Sequence, residues 1–183
     1  MKNLIAACLV FFIANNYLYA QTTVKYGADK TKSYITYTMT HPMHEWDGTS
    51  KDVNSVLLFN PATKKIEKVA VSVPVSTFDS QNANRDSHTI EVLDAIKFPV
   101  ITFSSTSITG NDSILTITGN LVFHGVTRSI TFVTKNKSTD KGIEVAGTFN
   151  VKMSEYNIEN PSLMGIPTKD EFIMRFFVVY YPR

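Results

Sequence analysis

The sequence is most informative first in what it lacks. It has one cysteine, Cys8, lying inside the N-terminal apolar run. The chain beyond it therefore has no thiol for a disulfide, for thiolate catalysis or for cysteine-ligated metal. Its longest leading apolar run, Leu4 to Ile13, is ten residues, whereas a helix needs about 20 to cross a bilayer. No integral membrane span is expected. Charge of neither sign dominates: 18 Lys and Arg face 16 Asp and Glu, a formal net charge of +2. They are scattered rather than run together, which leaves no electrostatic footprint for nucleic acid or for an anionic membrane. No serine stands in a Gly-x-Ser-x-Gly context and no acid pair suggests an acid/base couple. Internal repeats, linkers and low-complexity tracts are absent too. What is plentiful is apolar and aromatic: 43% hydrophobic residues, with 12 Phe and 8 Tyr.

Met1 to Ala20 reads as a secretory leader, with Lys2 as the charged start, Leu4 to Ile13 as the apolar centre and Leu18-Tyr19-Ala20 before the cut. Ile5-Ala6-Ala7-Cys8 has a local likeness to a lipidation box. It comes too early, after a single charge, and apolar residues continue past it, so ordinary cleavage after Ala20 is the reading taken. A periplasmic or secreted protein is expected, with residues 21–183 forming one domain. Loss of Lys2 with the leader would lower the formal charge of +2 by one.

The segment from Asn84 to Val133 organises the rest. Phe98-Pro99 must stop a helix, because proline lacks the amide donor and pushes its predecessor toward extended geometry. From Pro99 to Ile108, Ile101 and Phe103 sit two apart, and Gly110-Asn111-Asp112-Ser113 supplies a turn. Ile114 to Phe123 follows with Leu115, Ile117, Leu121 and Phe123 on one face. His124-Gly125 reverses the chain into Val126 to Lys135, where Ile130 and Phe132 share a face with Val126. Three such segments in succession make a meander.

The remaining segments extend this pattern. Thr23 to Ala28 and Ser33 to Met39 pair around Asp29 to Lys32. His41 to Gly48 reads as a polar and aromatic loop, Lys51 to Phe59 as a strand, and Ile66 to Val75 as a strand with an edge or bulge near Pro74. Asp79 to Leu93 is the one helix, with Asp79 or Ser80 as N-cap. Ile143 to Lys152 and Phe172 to Tyr181 are strands, separated by a polar loop from Met153 to Lys169. The last strand is apolar on both faces apart from Arg175. Its outer face must therefore be covered by the helix or a partner, or lie where two layers meet. Many strands and one helix argue for an all-β barrel or sandwich.

Asn84-Arg85-Asp86-Ser87-His88, then Lys97-Phe98-Pro99-Val100-Ile101-Thr102-Phe103 with Ser105-Thr106, then Thr118-Gly119-Asn120-Leu121 running into His124-Gly125-Val126-Thr127-Arg128, resemble the signature run of the YceI-like family. That resemblance implies an exported bacterial protein folded as an eight-stranded antiparallel lipocalin-like barrel, with one short helix packed near its mouth. It also implies that the barrel holds a long-chain lipid, a polyisoprenoid or fatty-acid-like molecule. A barrel of about eight strands can be filled by side chains or hold one slim ligand. Filling is the ordinary outcome, and the resemblance points the other way.

The expected ligand-binding residues are Tyr37, Val71, Val73, Ile101, Phe103, Leu121, Phe123, Ile130, Phe132 and Phe177, with Arg85 and His88 as contacts to a headgroup. Arg85, Asp86 and His88 could equally pin the helix to the barrel by an ion pair. No cofactor is expected and no metal: His41, His44 and Glu45 lie close together, but Pro42 intervenes and a third ligand of fixed spacing is missing. A histidine near His41 is frequent in the family, whereas the His-Ser pair usual earlier in that strand stands here as Lys32-Ser33. His124 is expected to make a structural hydrogen bond in its turn. Two other readings stay open beside the binding protein: a hydrolase or isomerase using Asp86, His88 or His124, and a filled barrel that binds a partner. A homodimer is a candidate assembly.

Overall fold

Alternating apolar and polar side chains, cut by turn residues, make most segments of this chain strands that pair antiparallel. The computed structural model describes residues 23–183; the leader, its cut after Ala20 and Cys8 lie outside the described residues. The strands are β1 (Val24–Ala28), β2 (Tyr34–His41), β3 (His44–Ser50), β4 (Asn54–Asn60), β5 (Lys65–Pro74), β6 (Val100–Gly110), β7 (Ile114–Phe123), β8 (Val126–Ser138), β9 (Ile143–Lys152), β10 (Ser162–Leu163), β11 (Ile166–Pro167) and β12 (Glu171–Pro182), with helix α1 at Ala83–Val92.

β1 and β2 are two halves of one bent strand. Both lie on the same edge of β12, through Tyr26↔Pro182 to Ala28↔Tyr180 and through Tyr34↔Phe177 to Thr38↔Ile173. β3 and β4 form a second bent strand on their other side. Counting each pair once, the ladder runs from β1/β2 through β3/β4, β5, β6, β7, β8 and β9 to β12, which returns to β1. The result is a closed, eight-stranded, antiparallel up-and-down barrel. Where β3 diverges from β5, paired backbone bonds between Thr49 and Asp79 (2.9 and 3.1 Å) hold the rim. Helix α1, in the β5 to β6 connection, sits at that end.

The turn residues act as their chemistry dictates. His124 (φ 48°) and Gly125 (φ 72°) both take positive φ between the partners Phe123 and Val126, the conformation that a two-residue hairpin requires. Pro74, without an amide to donate, ends β5 as the partner of Val100. One irregularity was not legible in the sequence. The register of β6 against β7 shifts between Ser105 and Ser107, and the Ser105 hydroxyl accepts from Val69 N (2.9 Å) across the gap. This bulge transfers the inward face from odd to even positions, from Phe103 to Ile108.

Several expectations are corrected. β1 and β2 do not pair with each other around Asp29 to Lys32; both pair with β12. His41 to Gly48 is not a loop: His44–Ser50 is a strand paired with β2. It lacks alternation because much of it faces solvent, and Thr36 bonds Thr49 (2.8 Å) while Asp47 accepts from Arg175 (2.9 Å) across the surface. The helix starts at Ala83, capped by Asn82, whose side chain accepts from Arg85 N (3.1 Å). On the outer face of β12 the excursion from Asp29 to Ser33 covers Val179, with Asp29 N donating to Val179 O (2.8 Å) and the buried Ser33 hydroxyl accepting from Val179 N (3.1 Å); Tyr34 packs on Phe177 (5.9 Å), while Ile173 and Arg175 stay exposed.

Inside the barrel, buried residues form two clusters. One, around Phe103, Leu121, Phe123, Phe132, Phe172 and Met174, lies toward α1. The other, around Leu57, Val145, Val178 and Tyr180, closes the opposite end.

Candidate functional site

The two clusters do not meet in solid packing. Between and through them runs a cavity of about 190 Å³ walled almost wholly by apolar side chains. Protein interiors seldom leave voids larger than a water molecule. At 10–15 Å³ per water-sized group, this space admits on the order of a dozen of them. Inward residues of β2, β5, β6, β7, β8, β9 and β12 line it, β3 adds Trp46, and α1 covers one end.

Small residues keep the bore open by letting aromatic rings lie against the wall. Phe103 lies over Gly119, and a Cβ there would come within 2.5 Å of the ring; Phe176 lies over its register partner Gly147 in the same way. Phe132 stands at the centre of an aromatic group, with ring centroids 5.3 Å from Phe103, 5.1 Å from Phe149 and 5.7 Å from Phe176. Such stacked, tilted and edge-on pairs are favourable beyond the area they bury.

The structure brings most of the expected residues to this wall. Tyr37 from β2, Val71 and Val73 from β5, Ile101 and Phe103 from β6, Leu121 and Phe123 from β7, and Phe132 from β8 all line it. Arg85 and His88 reach it from α1. Ile130 is half-buried against the core behind the wall rather than on it. Phe177 is a correction, because it points outward to Tyr34. Parity along β12 runs through Phe172, Met174, Phe176, Val178 and Tyr180 as the inward set. The apolar outer face of that strand had concealed the parity. Phe149 and Val151 on β9, and Trp46 on β3, also line the cavity. The first two share one parity of an apolar strand, a signal the sequence does carry. Trp46 sits in a polar stretch that carries none.

At the α1 end the wall becomes polar. The Arg85 guanidinium lies over the Trp46 ring (5.0 Å), and the His44 ring also stacks on Trp46 (5.0 Å). Tyr37 packs on Phe78 (5.7 Å), and burial pushes its phenol pKa up, with Thr89 and Trp46 beside the hydroxyl pulling the other way. No ion pair links Arg85, Asp86 and His88 to the barrel among the described residues. Asp86 instead accepts from the amide (3.0 Å) and hydroxyl (2.6 Å) of Ser80, bracing the turn before the helix, and His88 lies 3.6 Å from Glu91 on the helix itself.

The other histidines are tied into the frame. His41, buried, accepts from Met43 N at Nδ1 (3.2 Å), so its Nε2–H donates to Ile166 O (3.0 Å) and fastens the β10–β11 hairpin. His124 joins Tyr156 O through Nδ1 (3.0 Å) and meets the Phe98 ring (4.6 Å), so its bond leaves the turn for the Met153–Tyr156 segment. Asp86, His88 and His124 thus have separate partners. Lys32 lies outside the barrel, with its Nζ donating to the Tyr181 hydroxyl (2.7 Å). Among the described residues no three His, Cys, Asp or Glu side chains gather as metal ligands, and no helix is long and apolar enough to cross a membrane.

Comparison with known proteins agrees with this geometry. The family model for the YceI-like domain matches residues 26–179. Among solved structures, the chain is similar to BcnA of Burkholderia cenocepacia, with a TM-score of 0.74 at 20% identity over 83% of this chain and 98% of that one. It is also similar to a polyisoprenoid binding domain from Saccharophagus degradans implicated in plant cell wall breakdown, with a TM-score of 0.67 at 13% identity over 87% and 99% of the two chains. A Campylobacter jejuni YCEI protein gives 0.63 at 21% identity, over 74% and 84%. These identities speak for the fold. No curated protein matches the sequence.

Proposed function

The chain belongs to the YceI-like family, and from that premise we propose that it is an exported binding protein that holds one long, mostly hydrocarbon molecule, a polyisoprenoid or fatty-acid-like lipid, along the barrel axis. The observation that carries this reading is the cavity itself: walled almost wholly by apolar side chains, with Arg85, His88 and Tyr37 at its α1 end and Thr134 and Asn136 among its few other polar residues. The likeness to a polyisoprenoid binding domain supports the ligand class, and the leader-like Met1 to Ala20 supports export. Binding rather than catalysis suits the way Asp86 and His124 are tied into separate structural hydrogen bonds while His88 lies beside Glu91 on the helix.

The driving force is burial of methylene groups at about 0.8 kcal/mol apiece. A dozen of them supply roughly 10 kcal/mol, opposed by the several kcal/mol of association and chain ordering. Each added CH₂ should therefore tighten binding about four-fold until the bore is full. Salt should matter little, because nearly all of the wall is uncharged. The test is native mass spectrometry of the protein as purified, followed by titration with saturated fatty acids and isoprenols of increasing length. Co-purified lipid and a length-dependent affinity support the proposal. Affinity that tracks headgroup charge and ignores tail length overturns it.

A further inference from the structure

Three buried side-chain polar atoms among the described residues have no hydrogen-bond partner: Asn136 Nδ2, Tyr156 Oη and Thr168 Oγ1. Only Asn136 lines the cavity. It lies on β8 ten residues beyond Val126, which is roughly 33 Å of extended strand and about 25 Å along a tilted barrel. It is therefore at the end away from α1, where Val145 is its partner on β9. The fully buried Thr134 hydroxyl donates to Asn136 Oδ1 (3.1 Å), with Leu115 O as its longer alternative at 3.5 Å. That bond turns the amide so that Nδ2 is the atom left over.

The surroundings define what could satisfy it. Ile66, Val69, Val145 and Val178 wall this end, and the Tyr180 hydroxyl there is already bonded to Ser55 (2.7 Å), which donates onward to Ala70 O (2.8 Å). A buried donor without an acceptor is costly, and a carboxylate here would meet no cation, since Lys135 and Lys137 on either side are exposed. Resting on the tunnel reading above, we propose that Asn136 Nδ2 is a deep polar anchor that donates to a neutral carbonyl oxygen of the bound chain. The occupant is then a long-chain ketone, aldehyde, ester or amide that enters carbonyl first and leaves its hydrocarbon under α1.

The test compares 2-hexadecanone, hexadecane and hexadecanoate on the wild-type protein and on Asn136→Leu. A single added hydrogen bond should favour the ketone over the alkane by about five-fold. In Asn136→Leu that preference should vanish while hexadecane binds at least as well. Hexadecanoate should be no tighter than the alkane at neutral pH. In the wild type, the Asn136 side-chain amide resonances should shift on adding the ketone and stay in place with hexadecane, a reading that needs no variant. Equal binding of ketone and alkane to wild type, or a ketone preference that survives Asn136→Leu, overturns the anchor and leaves the tunnel intact. Failure of all three probes to bind wild type overturns the tunnel reading and the anchor with it.

Discussion

Phe176 and Gly147 face each other across β12 and β9, and the ring of the first occupies the place where a side chain on the second would be. The relationship couples a backbone choice to the width of the bore. Glycine weakens a strand and survives here because it gives an aromatic ring a flat seat.

Gly147→Val should push Phe176 into the cavity, since a Cβ would lie 2.5 Å from Cζ and only the ring can move toward free space. The expected cost in stability is about 1–3 kcal/mol. Chain binding should fall much further than stability, and a paired thermal melt and fatty-acid titration would show the two effects separately. Unchanged binding in a folded variant would mean that Phe176 does not border the ligand.

Phe132→Asp sets an unpaired carboxylate among Phe103, Phe149 and Phe176. Without a cation beside it, that charge should abolish binding of a hydrocarbon tail. Folding checked by circular dichroism at mildly acidic pH, where the new group can protonate, separates a lost site from a lost fold.

Gly125→Val should destabilise the whole barrel. Gly125 has φ of 72°, which a β-branched residue resists, and a Cβ would strike the Phe98 ring. A loss of about 2 kcal/mol or more is expected from strain and overpacking together. A melting temperature equal to that of wild type would contradict the turn geometry.

The Asp170 carboxylate accepts from the hydroxyl (2.6 Å) and amide (2.8 Å) of Ser154, and the hydroxyl bond first, then the amide, holds its pKa below 3.8. The folded state thus favours the charged form. Its contribution is whole above pH 3.8 and is lost as the pH falls below that value through the lower, folded pKa. Wild type should lose its advantage over Asp170→Asn in that acid window. Parallel acid titrations of the two proteins, followed by tryptophan fluorescence, test it.

Burial raises the Tyr180 phenol to about 12, with the Ser55 bond pulling weakly the other way. Here the neutral form is favoured, so the stabilisation is complete below pH 10 and drains away between pH 10 and about 12. Tyr180→Phe should remove that part of the alkaline transition. Alkaline denaturation curves of the two proteins that superimpose would refute it.

For export, N-terminal sequencing of the mature protein should begin at Gln21; an acylated Cys8 would overturn the leader reading.

Much of the barrel was legible because strands advertise themselves by a period of two. The faces Ile101/Phe103, Leu121/Phe123 and Val71/Val73 were readable from side-chain alternation, and all six residues line the cavity. His124-Gly125 was readable as a turn, since few dipeptides accept two successive positive φ values. Other features belong to partners distant in the chain. Parity in β12 was hidden because its outer face is apolar too, with Ser33 beside Val179 and Tyr34 on Phe177, so Phe177 looked as inward as Phe176. β3 was hidden because its pairing with β2 needs no apolar pattern of its own. The bulge at Ser105 to Ser107 is a register between two strands, which neither strand encodes alone. By itself, then, the sequence determined most strands, most turns and most of the alternating faces, because these depend on neighbours two to four residues apart. The tertiary structure alone decided which rings lie flat over glycines, how much space remains between them and that Asn136 is left with a donor to spare, because each depends on closing the barrel.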